Sequence, residues 1–352
     1  MTTGFVYDPI YLEHDLPGHP ENQRRLKTIL RVLQEHGMLT RLAEIPAAPV
    51  TAEQVARVHE PTYVEQVHQL AQRGGGHLDM DTYVRPASYD AALMAAGGLV
   101  AATKAVLDGE MENAFALVRP PGHHALRSRG MGFCLFNNVA IAARYALAER
   151  NLERILIMDF DVHHGNGTQD EFEADPSVMY ISTHQYPYYP GTGHWNEVGL
   201  GQGAGSIVNV PLHGGVGNEG FARIFQQIVQ PMAWRFQPQL ILVSAGYDAH
   251  WDDPLAQMQL SIGGYVAIAQ SLKNLADELC GGRLVFTLEG GYHLEALAYS
   301  ILNTFAVLQG DDGWELVDPL GASPYREQSV DRIIEQVRQA HGLRPGREAP
   351  GS

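Results

Sequence analysis

Short runs of β-branched and other apolar residues alternate with longer Ala-rich or amphipathic stretches along most of the chain. The strand-like runs lie at 114–118, 154–160, 177–183, 206–212, 240–246 and 283–289. The helix-like stretches lie near 88–107, 137–150, 218–236, 262–279 and 292–309. Because strands that alternate with helices pair in parallel, this pattern predicts an α/β fold with helices on both faces of a mostly parallel sheet.

A single domain is predicted for residues 1–340, although 352 residues could also form two ordinary domains. The reason is that no Pro-, Gly- or Ser-rich linker divides the middle of the chain. Residues 341–352 end in the sequence "LRPGREAPGS" and are predicted to form a flexible tail.

The composition, with 45% hydrophobic and 18% charged residues, is that of a globular protein with a sizeable core. The formal net charge of -16 argues against a nucleic-acid-binding surface, which needs clustered Lys and Arg. Two cysteines are too few for a disulfide framework and fit a reducing compartment. The N-terminus has no signal-peptide pattern, and the longest apolar run ends at Lys104, short of the roughly 20 residues that span a bilayer. These features predict a cytoplasmic protein without a nucleic-acid or membrane partner.

Polar, chemically reactive side chains lie at the carboxyl ends of five of the six predicted strands. In chain order they are His123 and His124, then Asp159, Asp161, His163 and His164, then Ser182 and His184, then Asp248 and His250, and last Tyr292. Because ligands of parallel sheets bind beyond the carboxyl ends of the strands, we expect these strand ends to form one site.

The sequence "ILIMDFDVHHGNGTQ" places Asp159, Asp161 and His163 at alternate positions, and therefore on one side if the strand stays extended to its end. Two converging carboxylates and an imidazole need a cation among them. Asp161 and His163, joined by Asp248 from a neighbouring strand end, suit Zn²⁺ with open coordination positions, as in catalytic zinc sites. The alternative, that Asp159 and His163 only cap the loop, explains a single such residue better than it explains the cluster.

The adjacent residues His123 and His124 are candidates for a catalytic base. Two anionic ligands cancel much of the charge of a zinc ion, so hydrolysis at such a site would need a base close by. The alternative for this pair is a turn after "PPG" that exposes both imidazoles.

Taken together, the motifs resemble those of the histone deacetylase family of the arginase-deacetylase fold. "RPPGHHA", "GFCLFNN", "DFDVHHGNGTQ", "YYPGTG", "AGYDAHWDDP" and "LEGGY" follow in the family's order, and the resemblance covers roughly residues 4 to 310. The motif sequences are closer to those of the class II branch and its bacterial relatives, which include acetylpolyamine amidohydrolases and acetoin-utilisation proteins. The resemblance implies one large domain built on an eight-stranded, mostly parallel sheet.

The resemblance also implies roles for the reactive residues. Asp161, His163 and Asp248 would be the zinc ligands, and His124 would be the general base. His123 would give electrostatic support and would be oriented by Asp159, whereas Asn166 would orient His124 in place of the aspartate of class I. Tyr292 would stabilise the oxyanion, aimed by the flexible Gly290 and Gly291.

For the substrate, the resemblance implies a tunnel with Phe133 and Tyr189 as aromatic walls, lined also by Gly132, Gly290 and Gly291. Asp81 would be the carboxylate at the rim that accepts substrate N–H groups, with Asp79 as a close neighbour. Leu255 stands where polyamine-specific relatives have a Glu, and a leucine cannot pair with a distal ammonium.

Two potassium sites are a further implication of the resemblance. The first would use Asp159 and Ser182 with the carbonyls of Asp161, His163 and Thr183. The second would use the carbonyls of Phe172, Asp175, Val178 and Ser206.

The favoured hypothesis is a zinc-dependent amidohydrolase that removes acetyl or another short acyl group from N-ε-acyl-lysine of proteins or peptides. One alternative is a deacetylase of acetylpolyamines or other small acylated amines, and another is a non-catalytic acyl-lysine binder. A binuclear manganese enzyme like arginase would need a carboxylate where the chain has His250. A homo-oligomer stays open.

Overall fold

The computed structural model describes residues 2–343, and within them one eight-stranded sheet forms the centre of the molecule. Its strands run in the order β2-β1-β5-β10-β9-β6-β7-β8, and every neighbouring pair is parallel. They are β1 (Thr3–Val6), β2 (Ala43–Glu44), β5 (Asn113–Ala116), β6 (Ile155–Asp159), β7 (Val178–Gln185), β8 (Ile207–Leu212), β9 (Leu240–Ala245) and β10 (Leu284–Leu288). The short strands β3 (Gly76–His77) and β4 (Tyr83–Val84) form a separate antiparallel pair.

The helices cover both faces of this sheet, as predicted. On one face α4 packs against α5, and on the other α10 packs against α1 and α9. The α-helices are α1 (Arg24–Glu35), α2 (Ala52–Ala56), α3 (Pro61–Gln72), α4 (Ser88–Leu107), α5 (Asn138–Arg150), α6 (Asn166–Phe172), α7 (Asn218–Ile224), α8 (Gln230–Phe236), α9 (Ile262–Cys280), α10 (Leu294–Gln309) and α11 (Asp331–Ala340). Short 3₁₀ turns lie at Pro9–Leu12, Met38–Arg41 and Gly201–Gly203.

All six strand-like runs of the sequence overlap a strand of the central sheet. Their residues are almost entirely buried, which explains their continuous apolar character, because parallel strands are covered on both faces. The two remaining strands, β1 and β2, are four and two residues long. They are too short to give a period in the sequence. The stretch 218–236 is helical throughout, but a π-helical segment, Phe225–Val229, separates α7 from α8.

Helix α4 is long and apolar enough to cross a bilayer by length and composition, since it continues past Lys104 to Leu107. However, 67% of its apolar window is buried inside the protein, as in the core helix of a soluble domain. The Ala and Gly residues on α4 let it lie close to the sheet and to α5.

The chain after α11 was predicted to be a flexible tail from residue 341. His341 is buried, and its carbonyl oxygen accepts a hydrogen bond from Nη1 of Arg235 at 2.6 Å. Residues 341–343 therefore contact the domain, and the rest of the predicted tail, 344–352, lies outside the described residues.

Candidate active site

A pocket of about 290 Å³ opens beyond the carboxyl ends of five adjacent strands, β5, β10, β9, β6 and β7. The loops after these strands carry His123 and His124, the turn from Gly290 to Tyr292, and the acidic cluster of Asp161, His163 and Asp248. The pocket is lined by Asp81, Pro121, His123, His124, Gly132, Phe133, His163, Tyr188, Tyr189, Leu255, Gly290 and Tyr292. Most of the residues predicted to bind substrate are among them.

At the base of the pocket, Asp161, His163 and Asp248 bring their ligand atoms within 4.8 Å of one another. Nδ1 of His163 lies 3.2 Å from Oδ1 of Asp161 and 3.2 Å from Oδ2 of Asp248. The two carboxylates come from the ends of the neighbouring strands β6 and β9. The three predicted ligands therefore lie together in the structure.

The backbone reaches this arrangement by a different route from the extended strand that the alternation predicts. Strand β6 ends at Asp159, and residues 161–163 form a bend. Oδ1 of Asp159 accepts the N–H of Asp161 at 3.1 Å, and Oδ1 of Asp248 accepts the N–H of Val162 at 2.9 Å. The acidic side chains thus fix the bend that presents His163.

This cluster fits a divalent metal ion. Oδ2 of Asp248 is fully buried and has no hydrogen bond of acceptable geometry within residues 2–343, so it has a free lone pair aimed into the site. A Cβ on Gly290 would collide with the carboxylates of Asp161 and Asp248, so glycine keeps that space open. Burial lowers the pKa of His163, but Asp161 and Asp248 outweigh burial and raise it to about 10, which shows that the point where the three meet attracts positive charge.

His123, Cys134 and Glu289 form a second group close enough to hold a metal. Both oxygens of Glu289 are already occupied: Oε2 accepts the N–H of Gly122 at 2.7 Å, and Oε1 accepts the hydroxyl of Ser244 at 3.0 Å. We therefore regard Glu289 as a support for the backbone of the histidine loop rather than as a ligand.

The two histidines of this loop have different partners. Nδ1 of His123 lies 3.0 Å from Oδ2 of Asp159, which also accepts the hydroxyl of Tyr180 at 2.9 Å. Nδ1 of His124 lies 2.8 Å from the amide Oδ1 of Asn166. The predicted pairing of each histidine with its partner is the geometry observed.

These partners separate the pKa values of the two imidazoles. Burial lowers the pKa of His123, but Asp159, Asp161 and Glu289 outweigh burial and raise it to about 10. Burial also lowers the pKa of His124 well below its ordinary value, and the neighbouring His123 and His163 lower it further. One imidazole thus favours the charged form and the other the neutral form that accepts a proton.

Tyr292 follows β10 in a turn held from two sides. Oδ2 of Asp253 accepts the N–H of Tyr292 at 2.7 Å, and Nε of Arg25 donates to the carbonyl of Gly291 at 2.7 Å. Gly291 has φ +116, a conformation that side chains disfavour. Both Gly290 and Gly291 were predicted to line the pocket. Gly290 does so, whereas Gly291 does not and instead shapes the turn. Burial raises the pKa of Tyr292 well above its ordinary value, so its hydroxyl stays a hydrogen-bond donor.

The walls of the pocket are aromatic. The rings of Phe133 and Tyr292 meet edge to face at 5.9 Å, and Tyr189 packs edge to face on His124 at 5.2 Å. Phe133 has φ +69, which is rare for a residue with a side chain, and its N–H is held by Oγ1 of Thr82 at 3.1 Å. Gly132 has no room for a side chain because a Cβ there would collide with His124.

At the rim, the structure distinguishes the two neighbouring aspartates. Oδ1 of Asp79 accepts the N–H of Asp81 at 3.1 Å and that of Thr82 at 2.7 Å, so Asp79 is used inside its own loop. Asp81 lines the pocket, and its binding of substrate N–H groups stays a prediction. Leu255 also lines it, with its N–H bound to Oδ1 of Asp253 at 2.9 Å.

At the end of β7 the predicted residues do not line the pocket, although Tyr188 and Tyr189 in the loop after this strand do. Ser182 and His184 of β7 are buried and bonded to each other, Oγ to Nδ1, at 2.8 Å. His250 is also buried and does not line the pocket, so the expectation that these side chains join one site is wrong for Ser182, His184 and His250. Ser182 and His184 both lie within β7 and are buried, so this strand reaches the pocket only through the loop that follows it.

The residues predicted for potassium stay predictions. Asp159, Ser182 and Thr183 are buried together at the paired ends of β6 and β7. In the second predicted set, the carbonyls of Phe172 and Ser206 accept the N–H groups of Asp175 at 3.0 Å and Tyr180 at 2.9 Å. Asp175 and Val178 complete that set.

Several residues of the site were not found from the sequence. Tyr188 lines the pocket and stacks on His163 at 5.9 Å, and its position one residue before Tyr189 was a usable signal. Asp253 follows Asp248 in the motif "AGYDAHWDDP" and could also have been found there. Glu289 stands in the motif "LEGGY" and could likewise have been found, whereas Arg25 acts through backbone groups distant in sequence and gave no signal.

Comparison with known proteins places this geometry in a family. Residues 19–308 match the model of the histone deacetylase domain. The chain is 40% identical to a probable deacetylase of Archaeoglobus fulgidus, over 97% of this chain and 98% of that protein. It is 40% identical to the polyamine deacetylase HDAC10 of Homo sapiens, over 91% of this chain and 48% of that protein. The crystal structure of the HDA15 HD domain superposes with a TM-score of 0.88 at 36% identity, covering 97% of this chain and 95% of that one. The chain therefore belongs to the histone deacetylase family of amide-hydrolysing deacetylases.

Proposed function

We propose that the protein removes acetyl or another short acyl group from N-ε-acyl-lysine side chains of proteins or peptides, and that it does so with one zinc ion. The observation that carries the proposal is the convergence of the acidic cluster, the neutral His124 and the protonated Tyr292 on one pocket with aromatic walls. A narrow apolar passage suits the alkyl stem of lysine, whereas its polar end suits the amide.

Asp161, His163 and Asp248 would hold the zinc ion. When bound, zinc polarises the amide carbonyl and makes water more acidic. The donor set of two carboxylates and one imidazole leaves coordination positions free on the side of the pocket, which is the arrangement of catalytic zinc.

The residues around the cluster would perform the proton transfers. With Nδ1–H of His124 donated to Asn166, Nε2 is the free base that takes a proton from the attacking water. The hydroxyl of Tyr292 donates to the carbonyl oxygen as negative charge develops there. His124 then returns its proton to the amine as the C–N bond breaks, so that a carboxylate and a free lysine amine leave. His123 beside it, favouring the charged form, stabilises the negative charge electrostatically.

Acyl-lysine is favoured over acylated polyamines because Leu255 lines the pocket. A polyamine carries further ammonium groups beyond the acylated end, and a leucine offers them no partner. Acetylpolyamines and other small acylated amines remain the second candidate, since one relative is named a polyamine deacetylase. Binding of potassium at the two sites predicted above, and a cytoplasmic location, belong to the same proposal.

The test is a substrate panel on the purified full chain. Acetyl-, lactyl- and longer acyl-lysine peptides are compared with acetylspermidine, each with chelator and with zinc added back. We expect hydrolysis of a short-chain acyl-lysine peptide that chelator abolishes and zinc restores. A higher kcat/KM for acetylspermidine than for every peptide would favour the second candidate. Tight binding of acyl-lysine peptides with no turnover would instead indicate a non-catalytic binder.

A further inference from the structure

The amide of Asn166 contacts two different residues through its two ends. Oδ1 lies 2.8 Å from Nδ1 of His124, and Nδ2 donates to the sulfur of Met131 at 3.5 Å. The partner of His123 differs in this respect. Asp159 is a carboxylate, and it presents an acceptor oxygen to His123 whichever way it turns.

The orientation of an asparagine decides the tautomer of a histidine beside it. With Oδ1 towards His124, the proton sits on Nδ1 and Nε2 is free to accept another. If the amide turned over, Nδ2–H would donate to Nδ1, the proton would move to Nε2, and the imidazole could not act as a base towards the pocket. An asparagine in this place therefore needs something that selects its orientation.

On its far side, within residues 2–343, the amide of Asn166 hydrogen-bonds to Met131 and not to Asp170 or Glu173, two carboxylates that line a second pocket. Asn166 and Met131 both line the same pocket, of about 260 Å³, where water can either donate or accept. Arg129 also lines this pocket, and its Nη2 lies 3.5 Å from the sulfur of Met131. Water is indifferent to the orientation of the amide, and a guanidinium would attract Oδ1 outwards. The thioether accepts and cannot donate, so it favours Nδ2 outwards.

We propose that Met131 is a positioning residue that keeps Asn166 in the orientation required for His124 to act as a base. The sulfur accepts from Nδ2 of Asn166 and also from Nη2 of Arg129, so it is an acceptor for the amide and for the guanidinium alike. This inference rests on the proposed role of His124 and adds to it a residue that touches neither substrate nor the acidic cluster.

The kinetic test compares Met131 variants in two backgrounds of the zinc-loaded full chain. Met131→Leu keeps the volume but removes the acceptor, and we expect kcat to fall about three- to tenfold with KM changed less than about twofold. Met131→Lys places a donor beside the amide and should lower kcat further, whereas Met131→Gln, which offers an amide oxygen, should keep more activity than Met131→Leu.

In the Asn166→Asp background, the carboxylate has no donor end to be selected. Met131→Leu should then change kcat by less than about twofold relative to Asn166→Asp alone. An equal loss in both backgrounds would mean that Met131 contributes only packing, and unchanged kcat in the Asn166 background would remove it from the mechanism. Either result overturns the inference.

A spectroscopic measurement separates this inference from the proposed function. In protein labelled with ¹⁵N-histidine, long-range ¹H–¹⁵N correlations report which ring nitrogen of His124 carries the proton, with His124→Ala used for assignment. We expect protonation at Nδ1 in the natural protein and a mixture or the opposite tautomer in Met131→Leu. The same tautomer in both would overturn the inference, even if no substrate in the panel is hydrolysed; a change of tautomer would support it in that case too.

Discussion

Oδ2 of Asp253 accepts the backbone N–H of Tyr292 at 2.7 Å, so a carboxylate from the loop after β9 fixes the tyrosine that follows β10. The same oxygen accepts the N–H of His293 at 3.0 Å. Burial, together with the charge of Asp248, raises the pKa of Asp253 to about 7, although these N–H groups lower it. The turn that positions Tyr292 is thus held through backbone groups. The hydroxyl can therefore be removed by mutation without disturbing the turn.

For Tyr292→Phe, we expect kcat to fall about 100- to 1000-fold, the loss typical of removing one oxyanion donor. The turn and the metal content should stay unchanged because Asp253 and Arg25 hold the backbone. Steady-state kinetics with zinc analysis checks this. Tyr325→Phe is the matched control, since Tyr325 is 69% exposed. Full activity in Tyr292→Phe would remove the hydroxyl from the reaction.

For Asp248→Ala, we expect loss of bound zinc, since two ligands of the cluster would remain. Elemental analysis after gel filtration measures the metal for each mole of protein. Asp252→Ala is the control because Asp252 lies four residues away and contacts His293 rather than the cluster. Stoichiometric zinc in Asp248→Ala would show that Asp248 is not a ligand.

For Leu255→Glu, we expect the ratio of kcat/KM for acetylspermidine to that for an acetyl-lysine peptide to rise by about tenfold or more, since a single favourable charge contact in a partly desolvated pocket is worth this much. In the control variant Leu255→Gln, the side chain has nearly the same shape as that of Glu but no charge. This variant should leave the ratio close to that of the natural protein. If both variants change the ratio equally, shape rather than charge selects the substrate at this position.

For the pH dependence of stability, His59 provides a clear case. Nδ1 of His59 lies 3.0 Å from the carbonyl of Leu126, and Nε2 accepts the N–H of Asn137 at 2.8 Å, so the buried ring is neutral. Burial lowers its pKa to about 4. The unfolded chain therefore takes up a proton below about pH 6.5 and the folded protein does not until about pH 4, so stability is complete above pH 6.5 and is lost as pH falls.

Between pH 7.5 and 5, His59 should by itself lower the free energy of unfolding by about 2 kcal/mol. Urea denaturation at the two pH values measures the loss. His59→Gln, which can keep both hydrogen bonds but does not titrate, should show a loss smaller by about that amount. An identical pH dependence in the two proteins would contradict the assignment.

For Gly132→Ala, we expect a large loss of kcat, because the added Cβ would collide with the ring of His124 and displace it. Gly191→Ala tests for the general cost of such a change, since Gly191 also has a positive φ, +91, but has open space around the added atom. Thermal denaturation distinguishes unfolding from misplacement. Equal activity of the two variants would show that His124 accommodates the collision.

The sequence was informative wherever the chemistry lay on consecutive residues. The six strands predicted from the sequence, β5 to β10, are continuous apolar runs because both of their faces are buried. Asp161, His163 and Asp248 could be proposed as a cluster because each follows such a run. Strands β1 and β2 have too few residues for a pattern, and they join the sheet only through pairing with β5 and with each other.

What the sequence could not predict are contacts between backbone and distant side chains. Arg25 binds the carbonyls of Glu289 and Gly291, which are more than 260 residues away. The alternation from Asp159 to His163 predicted the right convergence from an extended strand, whereas the chain achieves it with a bend. The bend is stabilised by Asp248, and a local pattern carries no information about such a partner.

The N–H of Gly290 donates to Oδ2 of Asp161 at 2.7 Å across a separation of 129 residues, so the acidic cluster is closed by a late part of the chain. During synthesis the first two ligands emerge well before the strand that completes their surroundings. Tight zinc uptake would consequently come after assembly of the whole parallel sheet. The rate at which the protein binds zinc during refolding would then report the rate of the last step of folding.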